Sequence, residues 1–234
     1  MTDNTYILQI ETATPVCSVA LAKNGKTIAA VEADGPNLHA SNITLFIDEV
    51  LQKAAITRSD LRAVAVSKGP GSYTGLRIGV STAKGLCYAL DIPLIAVNTL
   101  EAMVCGFISQ GHDMEEGRIL VPMIDARRME VYMAKYNAEL DCLVETAAEI
   151  IDEHSFEATT GHPGYVLFGS GADKFDTLFD GRESIQVKTN FRNAASFLDQ
   201  SAFQKFQQGS FEDVVYFEPY YLKDFIATTP KKRK

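Results

Sequence analysis

The sequence predicts an α/β protein: a mixed β-sheet with helices packed on its faces, followed by a second, similar half that starts near residue 115. Three observations carry the prediction. Residues 5–34 hold three consecutive strand-like runs. Residues 39–109 alternate between helical and strand patterns. Residues 118–150 return to hairpin-like runs.

TYILQIETA and VCSVALAKN flank Thr14-Pro15, and Asn24-Gly25 leads into KTIAAVEAD. Asn-Gly between strand-like runs is a strong hairpin signal, because both residues tolerate the positive φ of a tight turn. Gly35-Pro36-Asn37 breaks the pattern. Residues 39–54 then place Ile43, Phe46, Ile47, Val50, Leu51 and Ala54 along one helical face. LRAVAVSK (61–68) reads as a strand, 74–90 as a helix, PLIAV (93–97) as a buried strand and 100–109 as a third helix. Arg118 to Asp125 and Glu130 to Tyr136 form a hairpin, and CLVETAAEI continues as a strand. GYVLFGSGADKF reads as strand, glycine turn and helix, and 193–207 as a last amphipathic helix.

At 234 residues, 46% hydrophobic and 22% charged, the chain can bury a core of useful size. No apolar run reaches the ~20 residues of a membrane span. The start, MTDNTYILQIETAT, has no basic region before its short apolar run and is not read as a signal peptide. Cys17, Cys87, Cys105 and Cys142 form no C-x-x-C pair, which points to reduced thiols in a cytoplasm, with neither disulfides nor zinc. Net charge is −8, and without the +4 of Lys231, Lys232, Arg233 and Lys234 the rest of the chain carries −12. So acidic a body binds nucleic acid poorly by itself. The basic tail has two readings, a contact with RNA or an acidic partner, and a solvated end without apolar residues from Thr228 onward.

The stretch GPGSYTGLRIG (69–79) lies between a strand and a helix. It is not a Walker loop, because five residues separate Gly69 from Gly75 and Leu76 follows. The dinucleotide fingerprint fails at Thr74. A looser anion site on the amides of Ser72, Tyr73 and Thr74 remains open, beside a plain turn capped by Ser72 or Thr74. The helix that follows has an apolar stripe, Leu76, Val80, Ala83, Cys87 and Leu90, and a row of small residues, Gly75, Gly79 and Ala83. Ile78, Thr82, Gly85, Leu86 and Ala89 add a second uncharged surface, and Arg77 and Lys84 are the helix's two charged residues. Glycine inside a helix costs ~1 kcal/mol relative to alanine, so the small row implies close packing, against a neighbour in the chain or a partner subunit.

ILQIETAT with CSVAL, HASNI, KGPGSYTGLRIGVSTAKGL, MIDARRMEVYMA, FGSGADKF and EPYYLK, in this order, resemble the TsaB (YeaZ) family from about residue 6 to about 223. These are dimerisation subunits of the bacterial machinery that makes threonylcarbamoyladenosine in tRNA. The resemblance implies two actin/hexokinase-like (ASKHA) lobes, an N-terminal lobe over 1–112 that carries the dimerisation helices and a smaller one over 113–225, with a basic tail over 226–234. It implies a non-catalytic cytoplasmic subunit needed for threonylcarbamoyl transfer to adenosine 37 of tRNAs reading ANN codons. Its partners would be a TsaD-like catalytic subunit, a TsaE-like ATPase, tRNA through the complex, and a second copy when alone. The partner-binding helix faces would carry Leu38, Asn42, Leu45, Gly75, Ile78, Gly79, Thr82 and Leu86. A vestigial nucleotide cleft would hold Glu11, Gly71, Ser72, Asp125, Gly169 and Gly171, with no cofactor beyond weak ATP or ADP binding.

Two alternatives are an active nucleotide-dependent transferase of the same superfamily and a peptidase. Catalytic relatives carry His-x-x-x-His on the first helix, whose two imidazoles share a helical face and a metal. Here Ile43 follows His39 at that spacing, and His112, His154 and His162 stand in no ligand spacing. His39 therefore reads as a helix-start or surface residue, and no metal or catalytic residue is assigned. A metalloprotease motif is absent, and nothing in the sequence places a base beside Ser72.

Overall fold

The computed structural model describes residues 4–35, 38–112, 117–157 and 164–223. The expected basic end, 226–234, and His162 lie outside them. The first sheet contains β1 (Tyr6–Glu11), β2 (Val16–Lys23), β3 (Lys26–Asp34), β4 (Leu61–Gly69) and β5 (Leu94–Asn98), in the order β3-β2-β1-β4-β5. β1, β2 and β3 form an antiparallel meander, while β4 and β5 run parallel to β1. Helices α1 (His39–Lys53) and α2 (Tyr73–Leu90) make the crossovers on one face. Helix α3 (Thr99–Ser109) follows β5 on the other face.

The second sheet repeats this wiring. β6 (Ile119–Asp125), β7 (Glu130–Tyr136) and β8 (Cys142–Ile150) form the meander, and β9 (Tyr165–Phe168) and β10 (Ile185–Lys188) run parallel to β6. Its order, β10-β9-β6-β7-β8, is that of the first sheet read from the other edge. This is the two-lobed α/β architecture expected, with β10 as an element the hydrophobic pattern did not reveal. After FGSG the expected helix is a single 3-10 turn, Asp173–Phe175. The last amphipathic segment opens as a 3-10 turn, Ala195–Leu198, and continues as α4 (Asp199–Gln208).

α3 joins the lobes. Its buried residues include Leu100, Ala102, Met103, Val104 and Phe107, which lie in one core with Ile7, Ala65 and Ile95 of the first sheet and Leu120, Ala134, Val166 and Phe168 of the second. A helix apolar on nearly all sides suits a position between two sheets. Phe107 and Phe168 meet across the lobes with ring centroids 4.2 Å apart.

The chain divides differently from the expected 113–225 lobe. β6–β10 form it, but the residues after 194 return to the first sheet. The Asp199 carboxylate accepts hydrogen bonds from Gln9 Nε2 (2.8 Å), Thr27 Oγ1 (2.8 Å) and the Thr27 N–H (2.7 Å). Glu212 bridges Leu94 at the β5 edge, and the Lys84 ammonium donates to the carbonyls of Val215 (3.2 Å) and Phe217 (2.8 Å). The Tyr220 N–H then donates to the Lys68 carbonyl at 2.7 Å. The C-terminal chain thus straps the first lobe.

Gln9 is fully buried, so losing Asp199 would leave its amide unpaired in the core. Asp199→Ala is expected to cost about 2–3 kcal/mol in urea unfolding. A cost within experimental error would show that this junction does not hold the strap.

Candidate functional site

The 69–79 stretch is an elbow clamped to the loop between β1 and β2. Ser72 caps α2, its Oγ accepting from the Gly75 N–H at 3.2 Å. The Ser72 N–H, a candidate anion donor, instead donates to the Ala13 carbonyl at 2.7 Å. Gly71 lies so close to Ala13 that a Cβ would overlap its carbonyl.

The small-residue row lies against the chain itself. A Cβ at Gly75 would strike the Thr12 carbonyl, and one at Gly79 the Thr12 hydroxyl. Both glycines and Ala83 are buried. This corrects the placement of Gly75 and Gly79 on a partner-facing surface: the glycines let α2 lie on the 12–14 loop. The outward side of the helix pair is different. Leu45 is 62% exposed and Tyr88 84%. Ser81, Gly85 and Ala89 are exposed, while Leu38, Asn42, Ile78, Thr82 and Leu86 are half-buried. A Cβ at Gly85 would meet nothing within 4 Å. Both charged groups of α2 are engaged nearby, Lys84 by the carbonyls of the strap and Arg77 Nη1 by the Tyr73 hydroxyl at 2.9 Å, while α1 presents the exposed carboxylates of Asp48 and Glu49 one turn after Leu45. The Thr82 hydroxyl donates to the Ile78 carbonyl at 2.8 Å within its own helix.

Between the lobes runs a cleft of about 850 Å³. Gly71, Ser72 and Asp125 line it, together with Thr14, Tyr73, Arg127, Tyr132 and Ser170. Tyr220, Tyr221, Leu222 and Lys223 cross its wall, and the Tyr221 ring sits 4.9 Å from that of Tyr73. No periodicity pointed to these four residues; their signal was the EPYYLK block alone. Lys223 reaches the Glu130 carboxylate on β7 and so ties the strap to the second lobe.

Glu11, Gly169 and Gly171 are not among the lining residues. Gly169 packs against Met103 and the Met123 carbonyl, and a Cβ at Gly171 would be 2.9 Å from the Ile124 carbonyl carbon. These glycines fit the 169–171 turn against β6. Glu11 is buried, and its Oε1 accepts from the Ala13 N–H at 2.5 Å. Burial pushes its carboxyl up to about 7, against hydrogen bonds from Ala13 and Asn193 that favour the ionised form. Asp125, at the matching end of β6, is half exposed and is gripped by Lys174 Nζ at 2.6 Å, which also donates to the carbonyls of Arg128 (2.8 Å) and Glu130 (2.7 Å). Its role is to hold the hairpin. His39 does start α1, but it is buried instead of lying at the surface, with Nε2 2.9 Å from the Thr14 carbonyl. An acceptor there requires the proton on Nε2, which removes that nitrogen as a metal ligand.

Residues 35–228 match the sequence model of the TsaD family, tRNA N6-adenosine threonylcarbamoyltransferase. The tRNA threonylcarbamoyladenosine biosynthesis protein TsaB of Escherichia coli K12 is 34% identical over 230 residues, covering 94% of this chain and 96% of that protein. A tRNA N6-adenosine threonylcarbamoyltransferase of Phocaeicola vulgatus is 32% identical, over 69% of this chain and 54% of its own length. The solved structure of YeaZ from Pseudomonas aeruginosa superposes with a TM-score of 0.77 at 24% identity, covering 93% of this chain and all of that one, and so shares the fold.

Two outcomes follow from this geometry. Gly79→Arg should unfold the chain or lower its thermal midpoint severely, since overpacking costs about 1–3 kcal/mol even for smaller insertions. A folded variant of normal stability would return the glycine row to the surface. The second outcome concerns Glu11. Its folded pKa, about 7, lies above the ordinary carboxyl value of 4.5, so the folded state binds the extra proton between them. That stabilisation is complete below about pH 4.5 and is lost as pH rises through about 7. Glu11→Gln removes the titration, so urea unfolding at pH 5 and pH 8 should show the native chain losing on the order of 3 kcal/mol relative to the variant. Parallel stabilities would refute it.

Proposed function

Since the chain belongs to the TsaB family of tRNA threonylcarbamoyladenosine biosynthesis proteins, we propose that it is the non-catalytic partner of a TsaD-like subunit in threonylcarbamoyl transfer to adenosine 37 of tRNA. A TsaE-like ATPase and the tRNA join through the complex, and a second copy takes the partner's place when the chain is alone.

The observation that carries this reading is the outer surface of α1 and α2. It is part apolar, with Leu45 and Tyr88 exposed and open space over Gly85. Such a surface favours contact with another protein, and a two-fold axis would let two copies cover it with each other. The helix pair of one subunit against that of another makes a four-helix packing. Two further observations support a non-catalytic role. The nitrogen of His39 that faces Thr14 is held by a backbone carbonyl, and Ile43, where catalytic relatives would have their second histidine, is buried in this chain's own core.

Gly85→Arg tests the surface without touching the core. A residue with a side chain there gains ~1 kcal/mol of helix propensity over glycine, so the fold should be kept. Far-UV circular dichroism should be unchanged, while light scattering shows a monomer and co-purification with the TsaD-like subunit is lost. Leu45→Asp should give the same result. Partner binding that survives both substitutions would place the interface elsewhere.

A further inference from the structure

We propose that the outer edge of β8 is the docking site of the chain's own residues 224–234, which add to the second sheet as an antiparallel strand. β8 ends that sheet, and among the described residues no strand pairs with its outer side. Ile151 N–H donates to the Met129 carbonyl at 2.9 Å. By the two-residue period of an antiparallel ladder, Glu149 and Ala147 also turn their backbone groups toward β7. The backbone groups of Ile150 and Ala148 therefore face outward, where an added strand can bond them. Exposed apolar side chains flank this edge: Ile150 at 72%, Leu143 at 49%, Val144 at 44% and the adjacent Met129 at 45%. A long, open, partly apolar edge is a template for a further strand.

Position and charge select the occupant. Lys223 reaches the Glu130 carboxylate, and Glu130 is the register partner of Ile150. The chain therefore arrives at the Ile150 end of β8. The next eleven residues, DFIATTPKKRK, can span about 36 Å extended, against about 30 Å for the nine residues of β8. A strand entering at Ile150 and running toward Cys142 is antiparallel to β8. Phe225 and Ile226 then fall beside Ile150, and Lys231 to Lys234 come alongside Glu145 and Asp141. Residues 139–153 contain Glu139, Asp141, Glu145, Glu149, Asp152 and Glu153 and no lysine or arginine. Pro230 lacks a donor, which an edge strand tolerates. Docking closes the sheet edge and fixes Tyr220 to Leu222 across the cleft wall.

The test compares the full chain with one ending after Lys223, by amide hydrogen exchange resolved to single residues. The amides of Ala148 and Ile150 should exchange about tenfold faster in the shortened chain, with those of β6 and β9 unchanged. In the full chain, the double substitution Glu145→Lys with Glu149→Lys should produce the same acceleration, as should high salt in part. Equal exchange at Ala148 and Ile150 in the two chains would overturn the proposal. So would protection that appears in the full chain only after tRNA is added, which would make the tail an RNA contact.

Discussion

The approach of the α2 backbone to Thr12 is the constraint on which the first lobe depends. It requires glycine at 75 and 79, because any Cβ there would occupy the space of the Thr12 carbonyl or hydroxyl. It sets the direction in which α2 leaves β4, and hence which side of the helix reaches solvent. It also fixes the 12–14 loop, whose Ala13 carbonyl holds the Ser72 N–H and whose Thr14 carbonyl holds His39 at the start of α1. The outer helix surface and the cleft wall are consequences of one close contact.

The repeated wiring of the sheets shows how environment separates equivalent positions. Glu11 ends β1 and Asp125 ends β6, and each is followed by a turn to an antiparallel neighbour. Glu11 is buried away from bulk solvent, and its proton is held to higher pH. Asp125 stands at the cleft, half solvated and paired with Lys174. The same place in the same topology is a buried titrating group in one lobe and a surface clamp in the other.

Most of the fold was legible in the sequence because its signals are local. The Asn24-Gly25 turn, the Ile43-Ile47-Val50-Leu51 stripe and the strand of 61–68 each follow from patterns within a few residues. β10 was missed because four residues between turns carry too little alternation to register. The return of α4 to the first sheet was missed because Asp199 meets Gln9 across 190 positions, and no short-range pattern encodes that pairing. The glycine row was read correctly as a sign of close packing, yet sequence alone leaves the neighbour open. Thr12 is that neighbour, and the exposed side of α2 lies instead at Ser81, Gly85 and Ala89.

This shift bears on what the cleft can do. A phosphate at the start of α2 would need free backbone donors, but the Ser72 N–H is bonded to Ala13 and the Gly75 N–H to the Ser72 hydroxyl. His39 and Glu11 are turned toward the 12–14 loop, and Gly169 and Gly171 toward β6. Groups that would approach a nucleotide in a glycine-rich cleft here hold the protein's own backbone. These backbone contacts fix the 12–14 loop against α1 and α2, although the buried Thr12 and Thr14 hydroxyls have no partner among the described residues, and a fixed helix pair can meet another subunit without reorganising. The cleft wall and the placement of the outer helices are therefore two sides of one arrangement, because the same 12–14 loop holds the elbow, the start of α1 and the glycine side of α2.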